Sequence, residues 1–217
     1  MEKVLLIGSG QHCGVVLYNI EAQGSYEVVG LVDSDPAKCG KIFHGLQVLG
    51  DYSSESLRRI REEHGVTKFF IAFGAMKYRK AVYEHMLAQG WEPVTIIHPH
   101  AVVSPKAKIG RGVLIECGCL ITPAPVIGDN VVVNTGSQVN HDNVVEDHVY
   151  IASGVVLSGG VRIKENTLLD DGVIVTMGTN VGKNCVVGAG SVVTKDLPDN
   201  VVAYGVPCRA IRENSYE

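Results

Sequence analysis

Two hydrophobic rhythms divide the chain, and they meet near residue 95. Before that point, short apolar runs alternate with amphipathic stretches. Val4–Ile7 is an apolar run that ends in a glycine-rich loop, Gly8-Ser9-Gly10-Gln11-His12-Cys13-Gly14. A helical pattern follows through Val15, Val16, Tyr18, Asn19 and Ile20 and closes at Gly24. Val28–Val32 reads as a second buried strand, ending at Asp33-Ser34-Asp35-Pro36. Residues 53–63 predict a helix with Leu57 and Ile60 inward and Arg58, Arg59 and Arg61 outward. Lys68–Phe73 predicts a third strand, and Lys77–Ala88 a further helix closed by Gly90. Strand, helix, strand in this order implies a parallel sheet with helices packed on it. Residues 1–95 are therefore expected to form a small, Rossmann-like α/β domain, shorter than a full dinucleotide-binding fold.

From Ile97 the period becomes six. Position 97 and every sixth position to 193 carry Ile, Leu or Val, seventeen in succession with no insertion. Four residues after many of them stand small or branched side chains, among them Ala101, Cys119, Ser137 and Val155. A period of six is neither the two of a free strand nor the 3.6 of a helix. It fits a coil of short flat faces, each sending one aliphatic side chain into a shared core: a hexapeptide β-helix. Three faces make a coil of about 18 residues, so the seventeen hexads wind about five and a half times, within a β-helix domain expected over residues 96–217. A sandwich of short strands would need extra residues at its turns and would not hold one register this long.

Composition narrows the class further. With 46% hydrophobic and 19% charged residues the chain is a core-forming globular one, which excludes disorder. The formal charge of −4 argues against a nucleic-acid or anionic-membrane surface. No apolar run is long enough to span a bilayer, and Met1–Gly8 lacks the features of a signal peptide. The six cysteines, at 13, 39, 117, 119, 185 and 208, read as reduced thiols of a cytoplasmic protein, since Cys117 and Cys119 miss the CxxC spacing.

The hexads, Ile109-Gly110, Ile127-Gly128, Val181-Gly182 and Val187-Gly188 among them, resemble those of the hexapeptide acyltransferases. The resemblance implies a left-handed β-helix, a homotrimer, and acetyl-CoA in the groove between neighbouring coils. Over nearly the whole chain, the α/β domain opening with Gly8-Ser9-Gly10-Gln11-His12 resembles that of nucleotide-sugar N-acetyltransferases and the related sialic-acid O-acetyltransferases. So does the later stretch Asn134-Thr135-Gly136-Ser137…His141-Asp142. The implied acceptor is the 4-amino group of a GDP- or UDP-linked 4-amino-4,6-dideoxy sugar such as perosamine, a precursor for O-antigen. The rivals are transfer to a sugar hydroxyl and a non-catalytic nucleotide-sugar scaffold.

Acetyl transfer from a thioester to an amine needs a proton acceptor, donors for the developing oxyanion, and orientation of both substrates. Histidine is the natural base near neutral pH. His141 follows the repeat aliphatic Val139 by two places and is expected to face outward, with Asp142 fixing its tautomer. Relatives often carry Glu at that place. Gly159 lies 18 residues after His141, one coil on, so the two are expected to stack about 4.8 Å apart. Its N–H would hold the oxyanion, and the resemblance places the acetyl contact at the same glycine. The loop Gly8, Ser9, Gly10, Gln11 and His12 suits the diphosphate of the sugar nucleotide. The resemblance sends Asp33 and Asp35 to the nucleobase and Asn134 to the sugar. His148 is expected to be an exposed polar residue, because relatives with a second histidine have it where Tyr150 stands. His98, His100, His141 and His148 lack a spacing that would gather a three-histidine zinc site, so no metal is expected.

Overall fold

The computed structural model describes residues 1–214. They fall into two compact units, Met1–Ile96 and the chain from Ile97 onward.

In the first unit, β1 (Glu2–Ile7), α1 (Gln11–Gln23), β2 (Tyr26–Val32), β3 (Ile42–Phe43), β4 (Leu46–Gly50), α2 (Ser54–His64), β5 (Lys68–Ile71), α3 (Met76–Ala88) and β6 (Glu92–Pro93) follow one another. They build one sheet in the order β3-β4-β2-β1-β5-β6. The central strand β1 pairs in parallel with β2 and β5. Its residues Val4 to Ile7 are fully buried on both faces, as the unbroken apolar run requires of a covered parallel strand. The helix ends have local causes. The Ser53 hydroxyl accepts from the Ser56 N–H at the start of α2. Gly24 and Gly65, both left-handed, end α1 and α2 by donating to Ile20 and Arg61.

Two features depart from the expected all-parallel sheet. β3 and β4 form an antiparallel hairpin whose turn residues His44 and Gly45 both have positive φ, 51° and 79°. That is the backbone of a tight two-residue hairpin turn, and the pair adds two strands at the sheet edge. The third strand also stops at Ile71, so Ala72 and Phe73 lie in the loop beyond it.

In the second unit all seventeen hexads form two-residue strands, from Ile96–Ile97 to Val192–Val193. From Val102–Val103 to Ile174–Val175 each pairs in parallel with the strand 18 residues on, as Val139 does with Leu157 and Leu157 with Val175. Three stacked sheets result, the faces of a left-handed parallel β-helix. The repeat aliphatics are buried from Ile115 on; Ile97, Val103 and Ile109 are only partly so, because the first coil has a neighbour on one side only. Cys119, Ser137 and Val155 fill the same core from the corner that follows each strand. The chain turns each corner at the third residue after the aliphatic. From Gly112 to Gly190 every sixth residue has positive φ, and most are Gly or Asn. Asp142 (60°) and His148 (62°) are two of the side chains in that series.

His148 corrects an expectation. It is buried, not exposed, and its Nδ1 lies 3.0 Å from the Asn130 side-chain amide one coil earlier. The same corner continues as an asparagine ladder, Asn166 to Asn184 to Asn200, each amide donating to the next at 2.9 Å. His148 is a rung of that corner.

Candidate active site

His141 stands on the corner that follows the strand Gln138–Val139, its side chain 59% exposed and directed away from the core. The Asp142 carboxylate accepts from its Nδ1 at 2.9 Å. A carboxylate only accepts, so Nδ1 carries the proton and Nε2 is left with its lone pair. Asp142 reaches back because it occupies the left-handed turn position, where short polar side chains bond locally.

Nε2 hangs over Gly159. A β-carbon on Gly159 would collide with Cε1 and Nε2 of the His141 ring. Residue 159 is glycine for space, since no positive φ demands it there. The two turns are held together by the Gly160 N–H donating to the His141 carbonyl at 2.9 Å. The N–H groups at this register face outward, and elsewhere side chains cap them. Thr135 donates to Glu116, Ser153 to Asp171 and Arg111 to Asp129, each one coil away. No group among the described residues takes the Gly159 N–H. It is an open donor under an open base.

Asn134 directly follows the strand Val132–Val133 of a neighbouring face. Its amide donates to the Tyr150 hydroxyl at 3.1 Å, and its Oδ1 is buried without a partner. No sequence signal singled out Glu116. It is buried one coil before Asn134, and its carboxylate accepts from the Thr135 N–H and hydroxyl, at 3.2 and 2.6 Å. Burial pulls its pKa up, against the hydrogen bonds from Thr135. The carboxylate thereby fixes the turn that carries Asn134.

In the first unit the glycine loop, the end of β2 and the loop after β5 enclose a cavity of about 500 Å³. Gly8, Ser9, Gly10 and Asp33 line it; Gln11, His12 and Asp35 do not. Asp33 is the organiser. One oxygen accepts from the Ser9 N–H (3.1 Å), the Ser9 hydroxyl (2.5 Å) and Lys38 Nζ (2.9 Å), and the other from the Asp35 N–H (3.1 Å). Burial raises its pKa, and those hydrogen bonds more than offset that, holding it below the ordinary carboxylate value. Its acceptors are thus spent on the loop. Asp35 caps the short turn after β2 by accepting from the Ala37 N–H. His12 is driven down to about 4 by burial and then by the Arg79 charge, which keeps it neutral. The His44 ring packs on Gly14, and its Nε2 bonds the Gly10 carbonyl at 3.0 Å, bracing the loop from the hairpin. Ser34, Lys38, Tyr52, Phe73, Ala75 and Tyr78 complete the lining, and none stood out as a site residue in the sequence.

The histidines gather differently from the four considered above. His98 and His100 meet Cys117, with one potential ligand atom from each within 4.8 Å of the others. However, the His100 N–H donates to Nδ1 of His98 at 3.0 Å. That places the His98 proton on Nε2 and spends its lone pair on the backbone, which is poor preparation for a ligand.

Comparison with known proteins follows the same geometry. Residues 3–86 match the PglD N-terminal domain. A GDP-perosamine N-acetyltransferase from Caulobacter crescentus is 35% identical, with a TM-score of 0.91 over 98% of both chains; it is a histidine-to-alanine variant in complex with CoA and GDP-perosamine. The acetyltransferase domain of PglB from Neisseria gonorrhoeae FA1090, in complex with acetyl coenzyme A, is 31% identical. Its TM-score is 0.86 over 97% of this chain and 99% of that one. A UDP-N-acetylbacillosamine N-acetyltransferase from Bacillus subtilis (strain 168) is 31% identical over 115 residues, 53% of this chain and 51% of that protein. The chain therefore spans about half the length of that curated relative. With a full-length likeness above 30% identity, an α/β unit of the PglD type and a hexapeptide β-helix, the chain belongs to the nucleotide-sugar N-acetyltransferases and is an acyltransferase.

Proposed function

We propose that this protein transfers the acetyl group of acetyl-CoA to the 4-amino group of a nucleotide-linked 4-amino-4,6-dideoxy sugar, with His141 as general base. The observation that carries the reading is the Asp142-fixed Nε2 of His141 above the open N–H of Gly159. The sugar nitrogen attacks the thioester carbonyl while Nε2 takes its proton. The carbonyl oxygen, now negative, is held by the Gly159 N–H. Collapse breaks the carbon–sulfur bond, and the thiolate leaves with the proton returned from the imidazolium as CoA thiol. An amine is nucleophilic enough that no covalent acyl-enzyme is needed.

The nucleotide diphosphate is assigned to the cavity at Gly8, Ser9 and Gly10, where the loop opens the N-terminus of α1. The full-length likeness to the GDP-perosamine complex favours GDP over UDP. We assign Asn134 to the acceptor sugar, on the strength of its buried, unpartnered oxygen. A homotrimer is supported by the outward-facing Val102, Leu120 and Ile174 of one sheet of the β-helix, 64%, 40% and 40% exposed, which a neighbouring copy would cover. Six free thiols support a reducing, cytoplasmic setting. Among the described residues, no helix is long and apolar enough to cross a membrane.

The test is CoA release on a panel of GDP- and UDP-linked 4-amino sugars and their hydroxy counterparts, for wild type and His141→Asn. Amine-dependent release that falls about 10²- to 10⁴-fold in the variant, with CoA binding retained, is the expected result. An unchanged rate removes His141 as the base, and release only on hydroxy sugars replaces the amine by a hydroxyl acceptor.

A further inference from the structure

The α/β unit buries a guanidinium that the transfer chemistry does not use. Arg79, in the first turn of α3, is only 1% exposed. Its Nη1 donates to the carbonyls of Ile71, at 3.3 Å, and Phe73, at 2.6 Å. Its backbone N–H donates to the Ala75 carbonyl at 3.3 Å. Phe73, Ala75 and the adjacent Tyr78 form one wall of the cavity beside the glycine loop, so the guanidinium lies directly behind that wall. The Phe73 side chain also packs on Gly8, where an added β-carbon would come within 2.9 Å of its ring. Through Phe73, then, Arg79 braces the loop from the β5 side. Its charge is felt at the loop as well, because after burial it is the Arg79 charge that keeps His12, in the first turn of α1, neutral.

We propose that Arg79 is a positioning residue for the nucleotide: its buried positive charge raises the affinity of the cavity for a diphosphate, and its grip on the Ile71 and Phe73 carbonyls holds the wall that faces the glycine loop. Two carbonyls can be served by a neutral amide at a smaller desolvation cost, so the charge itself is the feature that an anion site calls for. The lining carries one cation of its own, Lys38, and that is paired with Asp33 at 2.9 Å. A diphosphate therefore draws on the N-terminus of α1 from one side and on Arg79 from behind the opposite wall. Arginine suits that place better than lysine, since a guanidinium keeps its proton when buried. The inference rests on the assignment of the nucleotide to this cavity.

Titration of the full chain with GDP and with guanosine, which has the base and ribose but no phosphate, separates charge from scaffold. Arg79→Gln keeps a donor for the carbonyls and removes the charge. It is expected to weaken GDP about tenfold and guanosine by less than about twofold, with CoA binding unchanged. Equal losses for both ligands mean a purely structural role and overturn the assignment. Unchanged GDP affinity overturns it too, while leaving the nucleotide in its cavity. A measurement on wild type carries the test if the variant does not fold. Saturating GDP is expected to raise the pKa of His12 from about 4, followed by histidine NMR, because the diphosphate enters the field that this imidazole shares with Arg79. A His12 that GDP leaves unmoved overturns the inference. No GDP binding by wild type, with CoA still bound, removes the nucleotide from the cavity and the inference with it.

Discussion

The imidazole of His141 occupies the space that a side chain on Gly159 would fill. The two residues sit one coil apart, and the Gly160 N–H to His141 carbonyl bond keeps their turns in step. Gly159→Ala is therefore expected to push the ring from its position while leaving the fold alone, since the backbone there needs no left-handed φ. A misplacement on the order of 1 Å in a reacting group costs about 10²-fold in rate. Turnover should fall about that far, with CoA affinity and the melting temperature close to wild type. A variant with wild-type turnover would mean that the ring position is irrelevant to the chemistry.

Asp142 has two jobs that separate by substitution. It accepts from Nδ1 of His141, and it turns the corner at φ 60°. Asp142→Asn keeps a residue at home in the left-handed region and removes the charge that stabilises the imidazolium. Turnover is expected to drop at least tenfold with an unchanged melting temperature. Asp142→Val also strains the corner, by about 1–2 kcal/mol, and should lower the melting temperature by a few degrees as well. If the two variants melt together, the corner does not demand a left-handed residue.

His148 belongs to architecture. Its φ of 62° and its contact with the Asn130 amide place it in a corner otherwise turned by asparagine at 130, 166 and 184. His148→Asn should keep both the turn and an amide-bonding partner, so stability and turnover stay near wild type. His148→Ala loses both, at a cost of about 2 kcal/mol, or about 4–8 °C in melting temperature for a chain of this size. Loss of turnover in a stable His148→Asn protein would instead give this histidine a part in catalysis.

How much of this was legible in the sequence depends on how local each cause is. The coils from Ile97 to Val193 were legible from the period, because their core is written by one residue in six. The handedness came from the family resemblance, and the antiparallel pair Val201–Gly205 and Cys208–Glu213 at the end had no such signal. The stacking of His141 on Gly159 followed from the same arithmetic, 18 residues apart at equal phase. The edge hairpin of the α/β unit was missed. Ile42 is exposed and the strands are too short to show alternation, so only the His44-Gly45 pair signalled a turn, a weaker form of Asn-Gly. His148 was misread because burial at a corner is decided by the coils above and below it. The cavity lining was legible only at the glycine loop, since Lys38, Tyr52, Phe73 and Tyr78 arrive from loops that the sheet order brings together. The nucleobase assignment of Asp33 came from the family resemblance, and the sequence did not show what else its carboxylate holds. Its oxygens are engaged by Ser9, Lys38 and Asp35, a choice made by tertiary geometry.

That lock on the glycine loop gives a pH dependence with a definite sign. Hydrogen bonds from Ser9 and Lys38 hold the folded-state pKa of Asp33 below its ordinary value. A depressed carboxylate stabilises the fold above its unfolded pKa of about 3.9, and that contribution is lost as pH falls from there through the folded value. Asp33→Asn should therefore be less stable than wild type at pH 7, by about 1.5–3 kcal/mol for charge-assisted bonds at a largely buried site. The gap should narrow below about pH 4, where wild type loses the same charge. Because the Ser9 N–H and hydroxyl are then held less firmly, GDP is expected to bind more weakly to the variant at pH 7, while CoA binding at the β-helix is unaffected. Chemical denaturation at pH 7 and pH 3, with GDP and CoA titrations at pH 7, checks each part. A stability gap that is constant between the two pH values would show that the Asp33 charge does not hold the loop.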